Sequence, residues 1–246
     1  MSIGNLLDCE TASETALYAA ISSNAYLYPE RVRFPIEETG WQKVNQKSEK
    51  IPPTQASYRN FLTGLALDIW EEEGTRKSIY SFRGTDSWWD NITANISIPI
   101  SIQYKLANKK FREYRRNSGR DVSVTGHSLG GGLALSVSAK NNQVDAIVFN
   151  SSPRIFDGYD REKRDGYRVL ISQRGEPLEE VRKRWNVTID RLIPFSNRYV
   201  TEYRSDFRSH RADLIAIGLV KQGAEYDTHT RRLRDLTPVE FLDMVN

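Results

Sequence analysis

Ser128 is the residue whose surroundings most clearly indicate chemistry. It lies at the centre of Gly126-His127-Ser128-Leu129-Gly130, a G-x-S-x-G pentapeptide. In a nucleophile elbow, this pattern places the serine on a tight turn between a strand and a helix, with its hydroxyl above the end of a sheet. Glycines flank the serine because strand and helix cross closely there. A β-branched run precedes the motif and a small, apolar run follows it, so the pattern predicts Ser128 as a nucleophile.

A serine that attacks an acyl carbonyl group also needs donors for the negative charge that develops on the carbonyl oxygen. Losing one such donor typically costs about 3 kcal/mol of transition-state stabilisation. Leu129 follows the nucleophile and begins the predicted helix. Its backbone N–H can therefore face that charge, and the dipole of the helix favours an anion at the same place. The sequence predicts Leu129 as one oxyanion donor.

The rest of the chain alternates predicted strands and helices around this motif. A first helix, capped by Thr11 or Ser13 and ended by Pro29, precedes residues 30–60, which are expected to be mostly loop. Two β-rich runs around Gly74 indicate an antiparallel hairpin. The later predicted elements are a basic helix at 105–117, strands at 121–125, 144–149, 167–172 and 187–193, and a helix at 212–221. This order predicts an α/β fold in which helices cover both faces of a mostly parallel sheet.

Four stretches together resemble the class 3 lipase family of α/β-hydrolases, the Rhizomucor-type lipases and their bacterial relatives. The specific pair is Ser81-Phe82-Arg83-Gly84-Thr85 and the elbow at 126–131, and the supporting pair lies at 149–154 and 167–178. Their order and spacing match the family over about residues 60–215. We therefore expect a single class 3 lipase-like domain over residues 1–246, with the α/β-hydrolase fold and the antiparallel hairpin near the N-terminal side of its sheet.

The resemblance also assigns roles outside the elbow. It makes Thr85 a second oxyanion donor. α/β-hydrolases carry their catalytic triad in the order Ser, acid, His, which leaves His210 and His229 as candidates for the base. His210 precedes a predicted helix, as the catalytic histidine of the family does, whereas His229 is expected at the surface. His127 is expected to pack beside the elbow, because neighbours on a tight turn point in different directions.

The acid that orients the histidine is predicted to be Glu176. Members of the family usually carry Asp at the matching position, and a longer carboxylate can hold the imidazole if the loop is adjusted. Asp190 also lies between Ser128 and His210 in the sequence and is the competing candidate.

Residues 86–100 follow Thr85 directly and carry Trp88 and Trp89 within an apolar stripe at helical spacing. Relatives place a lid here, which would cover an acyl groove in water and open at a lipid surface, where the two tryptophans could contact the membrane. Such a stripe also fits a helix that packs in the core, and both interpretations stay open.

The composition limits the remaining classes of function. The 246 residues are 39% hydrophobic with a net charge of +3, which allows one sizeable core and shows neither the dense basic face nor the module of a nucleic-acid-binding protein. The single cysteine, Cys9, excludes an internal disulfide and a cysteine-based metal site. Without a secretory signal or a spanning apolar segment, a cytoplasmic location is the default expectation, and export by a signal-independent route stays open. The oligomeric state does not follow from the sequence.

Together these observations predict a serine carboxylester hydrolase that acts on acyl esters of lipids, as a triacylglycerol lipase or a phospholipase A. Catalysis would use Ser128, His210 and Glu176, with Thr85 and Leu129 as oxyanion donors. It would pass through an acyl-enzyme and need no metal or cofactor. Two alternatives stay open, a soluble esterase, thioesterase or peptidase with the same triad, and a non-catalytic scaffold that binds a lipid or a protein partner.

Overall fold

The computed structural model describes residues 5–26, 32–84, 97–152, 165–176, 178–179, 197–203 and 210–245. The strands in these ranges are β1 (Asn5–Leu6), β2 (Trp41–Val44), β3 (Tyr58–Arg59), β4 (Ala66–Glu72), β5 (Lys77–Phe82), β6 (Asp121–His127), β7 (Ala146–Phe149), β8 (Arg168–Gln173) and β9 (Asn197–Thr201). They form one sheet in the order β1-β9-β8-β7-β6-β5-β4-β2, and β3 also pairs with β4. Neighbours from β5 to β1 run parallel, whereas β2, β3 and β5 are antiparallel to β4.

Helices lie on both faces of this sheet. They are α1 (Cys9–Asn24), α2 (Ser97–Ser118), α3 (Leu129–Lys140), α4 (Ala212–Gly223), α5 (Thr228–Asp235) and α6 (Val239–Leu242), with a 3₁₀ turn at Ile36–Thr39. One buried cluster joins α1 and α4 to one face, and a second joins α2 and α3 to the other. In β7, for example, Ile147 and Phe149 belong to the first cluster, and Ala146 and Val148 belong to the second. The expected α/β-hydrolase fold, with its mostly parallel sheet and its β4–β5 hairpin, is therefore confirmed.

The structure corrects one local expectation and adds strands that were not anticipated. The first helix begins earlier than expected, because the Asp8 carboxylate accepts a hydrogen bond from the Thr11 N–H and caps it in place of Thr11 or Ser13. Residues 30–60 are mostly loop where the structure describes them, as expected, but they also contain β2, β3 and a 3₁₀ turn. Strand β9 was not anticipated, and the predicted strand at 187–193 lies outside the described residues.

The buried lysine of β2 explains why that strand was missed. Lys43 is almost fully buried, and its Nζ lies 2.6 Å from an Asp68 Oδ2 that is equally inaccessible. Burial lowers the pKa of the Lys43 ammonium and raises the pKa of the Asp68 carboxyl, and their contact opposes both shifts. A charge in the middle of a strand interrupts the apolar pattern on which sequence-based strand prediction depends.

No helix within the described ranges combines the length and the apolar character that a membrane crossing requires.

Candidate active site

The Ser128 turn has the strained geometry of a nucleophile elbow. Ser128 directly follows β6 and caps the N-terminus of α3, with φ 59° and ψ −127°. A positive φ is uncommon for a residue with a side chain, and such strain is concentrated at functional sites. Ser128 is only 2% exposed, and its hydroxyl has no hydrogen-bond partner among the described residues. The structure therefore holds a serine hydroxyl, without a structural hydrogen bond, at the N-terminal end of a helix.

Close backbone approaches explain the glycines around this serine. A Cβ on Gly126 would collide with the backbone of Gly130 and Gly131, and a Cβ on Gly130 would collide with the Phe82 carbonyl group. A Cβ on Gly84 would lie 2.9 Å from the His127 carbonyl oxygen and 3.3 Å from the Ser128 Cβ. Gly84, two residues after the end of β5, is therefore packed directly against the elbow.

Replacing Gly130 with alanine is expected to destabilise the fold, because the added methyl group meets the backbone of β5 and cannot be accommodated by a side-chain rotation. We expect the free energy of unfolding to fall by about 3 kcal/mol, at the upper end of typical overpacking costs. The measurement is chemical denaturation. Gly74→Ala is the matched control, because a Cβ there meets nothing within 4 Å and the substitution costs only the left-handed φ, about 1–2 kcal/mol. Equal losses for the two variants would contradict the close-approach argument.

Hydrogen bonds connect the carboxyl ends of three parallel strands, β6, β7 and β8, beside Ser128. The Ser128 N–H donates to the Phe149 carbonyl at the end of β7, and the Ser152 N–H donates to the Ser128 carbonyl. The Asn150 side chain accepts a 2.8 Å hydrogen bond from the Gln173 N–H at the end of β8. Residues that follow β6, β7 and β8 are thus held at one edge of the sheet, where α/β folds place their ligands.

Glu176 and His210 meet at this edge. Glu176 lies on the turn after β8, and its side chain is 2% exposed. Its Oε2 lies 2.7 Å from the His210 Nδ1 and also accepts a hydrogen bond from the Leu178 N–H at 3.0 Å. The backbone N–H fixes the position of the carboxylate oxygen, and that oxygen in turn fixes the imidazole ring.

His210 is positioned by the start of the helix that follows it. It lies two residues before α4, and the next residue, Arg211, is the N-cap of that helix. The Arg211 guanidinium pairs with both carboxylate oxygens of the fully buried Asp213, which also accepts from the Leu214 N–H. This arrangement anchors the backbone next to His210 in the protein interior.

His127, within the elbow, packs against His210. Its ring centroid is 4.5 Å from that of His210 and 6.0 Å from that of Tyr26. The Tyr26 hydroxyl lies 3.3 Å from the His127 Nδ1, donates to the His127 carbonyl and accepts from the Gly84 N–H at 3.2 Å. Tyr26 therefore joins Gly84 to the elbow. Sequence reasoning missed this tyrosine, which lies just beyond the end of α1 and carries no recognisable motif.

Of the remaining predicted site residues, the structure describes Leu129 and His229 but not the others. Leu129 is the first residue of α3, where a helical N–H has no acceptor within its own helix. His229 is exposed at the start of α5, in a different part of the fold from Glu176. Thr85, the competing acid Asp190 and the tryptophans of the expected lid, Trp88 and Trp89, lie outside the described residues.

The arrangement has the components of acyl transfer. The site brings together a strained serine at a helix N-terminus, a histidine beside the same turn and a carboxylate on that histidine's Nδ1, which are the residue types that acyl transfer uses as nucleophile, base and orienting acid. The described residues contain no group of three or more His, Cys, Asp or Glu side chains that could hold a metal ion. A cleft of about 580 Å³ lies at the opposite edge of the sheet, beside Lys77 and Asp121 at the starts of β5 and β6.

The chain is similar to phospholipases in sequence and to lipases in fold. The model of the Tle-like phospholipase domain matches residues 17–193. No curated protein sequence matches the chain. Among solved structures, the lipase from Rhizopus microsporus var. chinensis is 15% identical with a TM-score of 0.51, and the match covers 73% of this chain and 72% of that one.

Two further lipase structures match with lower TM-scores. The Rhizomucor miehei lipase in its propeptide complex is 15% identical with a TM-score of 0.46, over 69% of this chain and 63% of that one. The triacylglycerol lipase from Penicillium expansum is 14% identical with a TM-score of 0.46, over 84% of each chain. This chain thus spans less than two thirds of the Rhizomucor lipase chain. At these identities the likeness concerns the fold alone.

Proposed function

The chain belongs to the Tle-like phospholipase family, and from that premise we propose that it is a serine carboxylester hydrolase that cleaves the acyl esters of glycerophospholipids. Of the two lipid classes that the sequence left open, the family favours the phospholipid over the triacylglycerol. Ser128 is the nucleophile, His210 the general base and Glu176 the acid of the triad.

One observation carries this assignment. The His210 Nδ1 lies 2.7 Å from a Glu176 carboxylate oxygen, and the His210 ring lies beside His127, the residue that immediately precedes Ser128. Such an arrangement directs one imidazole nitrogen to the acid and leaves the other to take a proton from the nucleophile. The glutamate at a position where relatives carry aspartate is therefore compatible with a triad.

In the first half of the reaction, Ser128 Oγ attacks the acyl carbonyl carbon while His210 takes the hydroxyl proton. Glu176 stabilises the imidazolium that forms. The carbonyl oxygen becomes negative and is stabilised by the Leu129 N–H and by Thr85, whose neighbour Gly84 is packed against the elbow. The C–O bond of the ester then breaks, and His210 returns the proton to the departing lysophospholipid oxygen.

The second half regenerates the enzyme. A water molecule gives a proton to His210 and attacks the carbonyl carbon of the acyl-enzyme, so that the fatty acid leaves and Ser128 recovers its proton. No oxidant, metal or cofactor is needed to balance either half. The products are one fatty acid and one lysophospholipid for each phospholipid consumed.

Product analysis tests this proposal. Purified protein is incubated with vesicles of mixed phospholipids and, separately, with a triacylglycerol emulsion, and the products are identified by mass spectrometry. We expect fatty acid and lysophospholipid to be released in equal amounts at early times. Labelling of Ser128 by a fluorophosphonate probe reports the nucleophile without any choice of substrate.

Each other outcome identifies a different alternative. Fatty acid from the emulsion alone would make the enzyme a triacylglycerol lipase. Turnover of a short soluble ester alone would favour an esterase. An absence of both hydrolysis and probe labelling would favour a scaffold that binds without catalysis.

A further inference from the structure

The turn between β3 and β4 exposes two large apolar side chains. Leu62 is 97% exposed and Phe61 82% exposed, which makes them the most exposed large apolar residues in the described part of the chain. Single exposed apolar residues are ordinary on protein surfaces. Phe61 and Leu62 are adjacent at the tip of one turn and together form a continuous exposed apolar surface. Such surfaces mark sites of interaction.

Hydrogen bonds hold this turn in shape. The Asn60 side chain accepts from both the backbone N–H and the hydroxyl of Thr63, and the Asn60 backbone bonds to Gly64 and Leu65. The Gln103 side chain of α2 donates to the Thr63 carbonyl. Because the backbone around it is fixed in this way, the turn displays its apolar side chains without a further ordering cost.

The turn lies at the same edge of the sheet as the candidate active site. Strand β4 begins at Ala66, whose carbonyl accepts from the Arg83 N–H just past the end of β5. The next residue, Gly84, is packed against Ser128. A surface that contacts the turn is therefore also near the loop that borders the elbow.

The charged residues of the two segments that meet at the turn are all cationic. Residues 51–67 and 97–112 contain no Asp or Glu. The Arg59 guanidinium lies 4.8 Å from the centroid of the Phe61 ring, and both residues are exposed. On α2, exposed Lys105 and Lys109 follow Ile102, itself 45% exposed, at spacings of three and seven residues, which places them along one side of the helix.

We propose that Phe61, Leu62 and Ile102, together with Arg59, Lys105 and Lys109, form a docking surface for an anionic phospholipid membrane. The apolar side chains enter the interface and the cations meet lipid phosphates, which is how peripheral proteins combine buried area with electrostatic attraction. The inference rests on the proposed function for its purpose, because docking here presents the Ser128 edge of the sheet to its substrate. It needs no contribution from the tryptophans of the expected lid.

Vesicle binding tests the surface without catalysis. In a Ser128→Ala background, binding is measured by sedimentation with vesicles of phosphatidylcholine that do or do not contain phosphatidylglycerol. We expect Phe61→Ser with Leu62→Ser to weaken binding to the anionic vesicles at least tenfold, because two large side chains no longer leave water. Val239→Ser, which changes another exposed apolar residue, is the matched control and is expected to bind as the parent does.

A second variant tests the charges. Replacing Arg59, Lys105 and Lys109 by glutamine is expected to remove most of the preference for anionic over neutral vesicles, on the order of tenfold to a hundredfold. Raising the salt concentration should reproduce this loss in the parent protein, because screening weakens the attraction to lipid phosphates.

Two results would overturn the proposal. One is unchanged vesicle binding by the double serine variant. The other is a parent dimer that the same variant converts to a monomer, since the turn would then be a contact between copies of the chain. Hydrolysis of a short soluble ester, measured with Ser128 intact, separates this proposal from the proposed function. The variant with Phe61→Ser and Leu62→Ser should retain that activity. If the parent showed neither hydrolysis of any ester nor labelling of Ser128 by a fluorophosphonate probe, the hydrolase assignment would be refuted and the vesicle result would still stand.

Discussion

Replacing Ser128 with alanine is expected to lower ester hydrolysis by about 10⁵–10⁶-fold, because alanine fits the elbow but carries no nucleophile. Losses of this size are typical when the nucleophile of a serine hydrolase triad is removed. The residual rate should still exceed that of the uncatalysed reaction, because the oxyanion donors and the binding of substrate survive the change. The measurement is the initial rate on vesicles and on a short soluble ester, with the melting temperature recorded for each variant.

Ser136→Ala is the matched control for this experiment. Ser136 is a buried serine on the same helix, α3, and its hydroxyl lies 3.5 Å from the Asn108 amide nitrogen. Its replacement should leave the rate nearly unchanged. Activity of Ser128→Ala within about tenfold of the parent rate would refute the serine mechanism, since no triad tolerates the loss of its nucleophile to that extent.

The elements that the sequence predicted well are those with a strong local signal. Strands β6, β7 and β8 are short β-branched runs buried on both faces, and the two glycines of the elbow lie near the end of β6 and near the start of α3, on either side of Ser128. Hairpin β4–β5 carries Gly74 in its turn with φ 73°. In each case neighbouring residues along the chain determine the local conformation, so a pattern in the sequence is sufficient.

The elements that the sequence predicted badly depend on distant partners. Lys43 can lie inside β2 only because Asp68 and the Pro53 carbonyl satisfy its ammonium group. Strand β9 pairs with the preceding strand, β8, on one side and on the other with β1, which lies at the opposite end of the chain. Such pairings are set by tertiary contacts, which override local propensity.

The candidate site shows the same division. The elbow was recognisable as a motif. Glu176 and His210 were recognisable as a pair only through the resemblance to a family, because 34 residues separate them. Neither a motif nor the resemblance to a family could identify Tyr26. It meets His127 across 101 residues of sequence, and a tyrosine after a helix carries no chemical signature until the fold brings it to the elbow.

Replacing His210 with alanine is expected to lower the rate almost as much as the loss of Ser128, because triad members act as a unit and their effects do not add. The double variant Ser128→Ala with His210→Ala should accordingly be no slower than either single variant. His229→Ala is the control, since His229 is exposed on α5, and its rate should stay close to the parent rate. The reverse ranking of the two histidines would assign the base to His229.

Replacing the acid of the triad, Glu176, with glutamine is expected to lower the rate less than the loss of Ser128 or His210 does. The Leu178 N–H and the His210 ring share one oxygen of Glu176, so in Glu176→Gln the amide oxygen is favoured at that position and the imidazole tautomer is kept. The loss should then fall between roughly 10²-fold, typical of one missing electrostatic partner, and roughly 10⁴-fold, seen when the tautomer is wrong. Glu179→Gln is the control. Glu179 lies on the same turn and accepts a hydrogen bond from the Gly175 N–H, and its replacement should lower the rate only slightly. A greater loss in Asp190→Asn than in Glu176→Gln would transfer the role of the acid to Asp190.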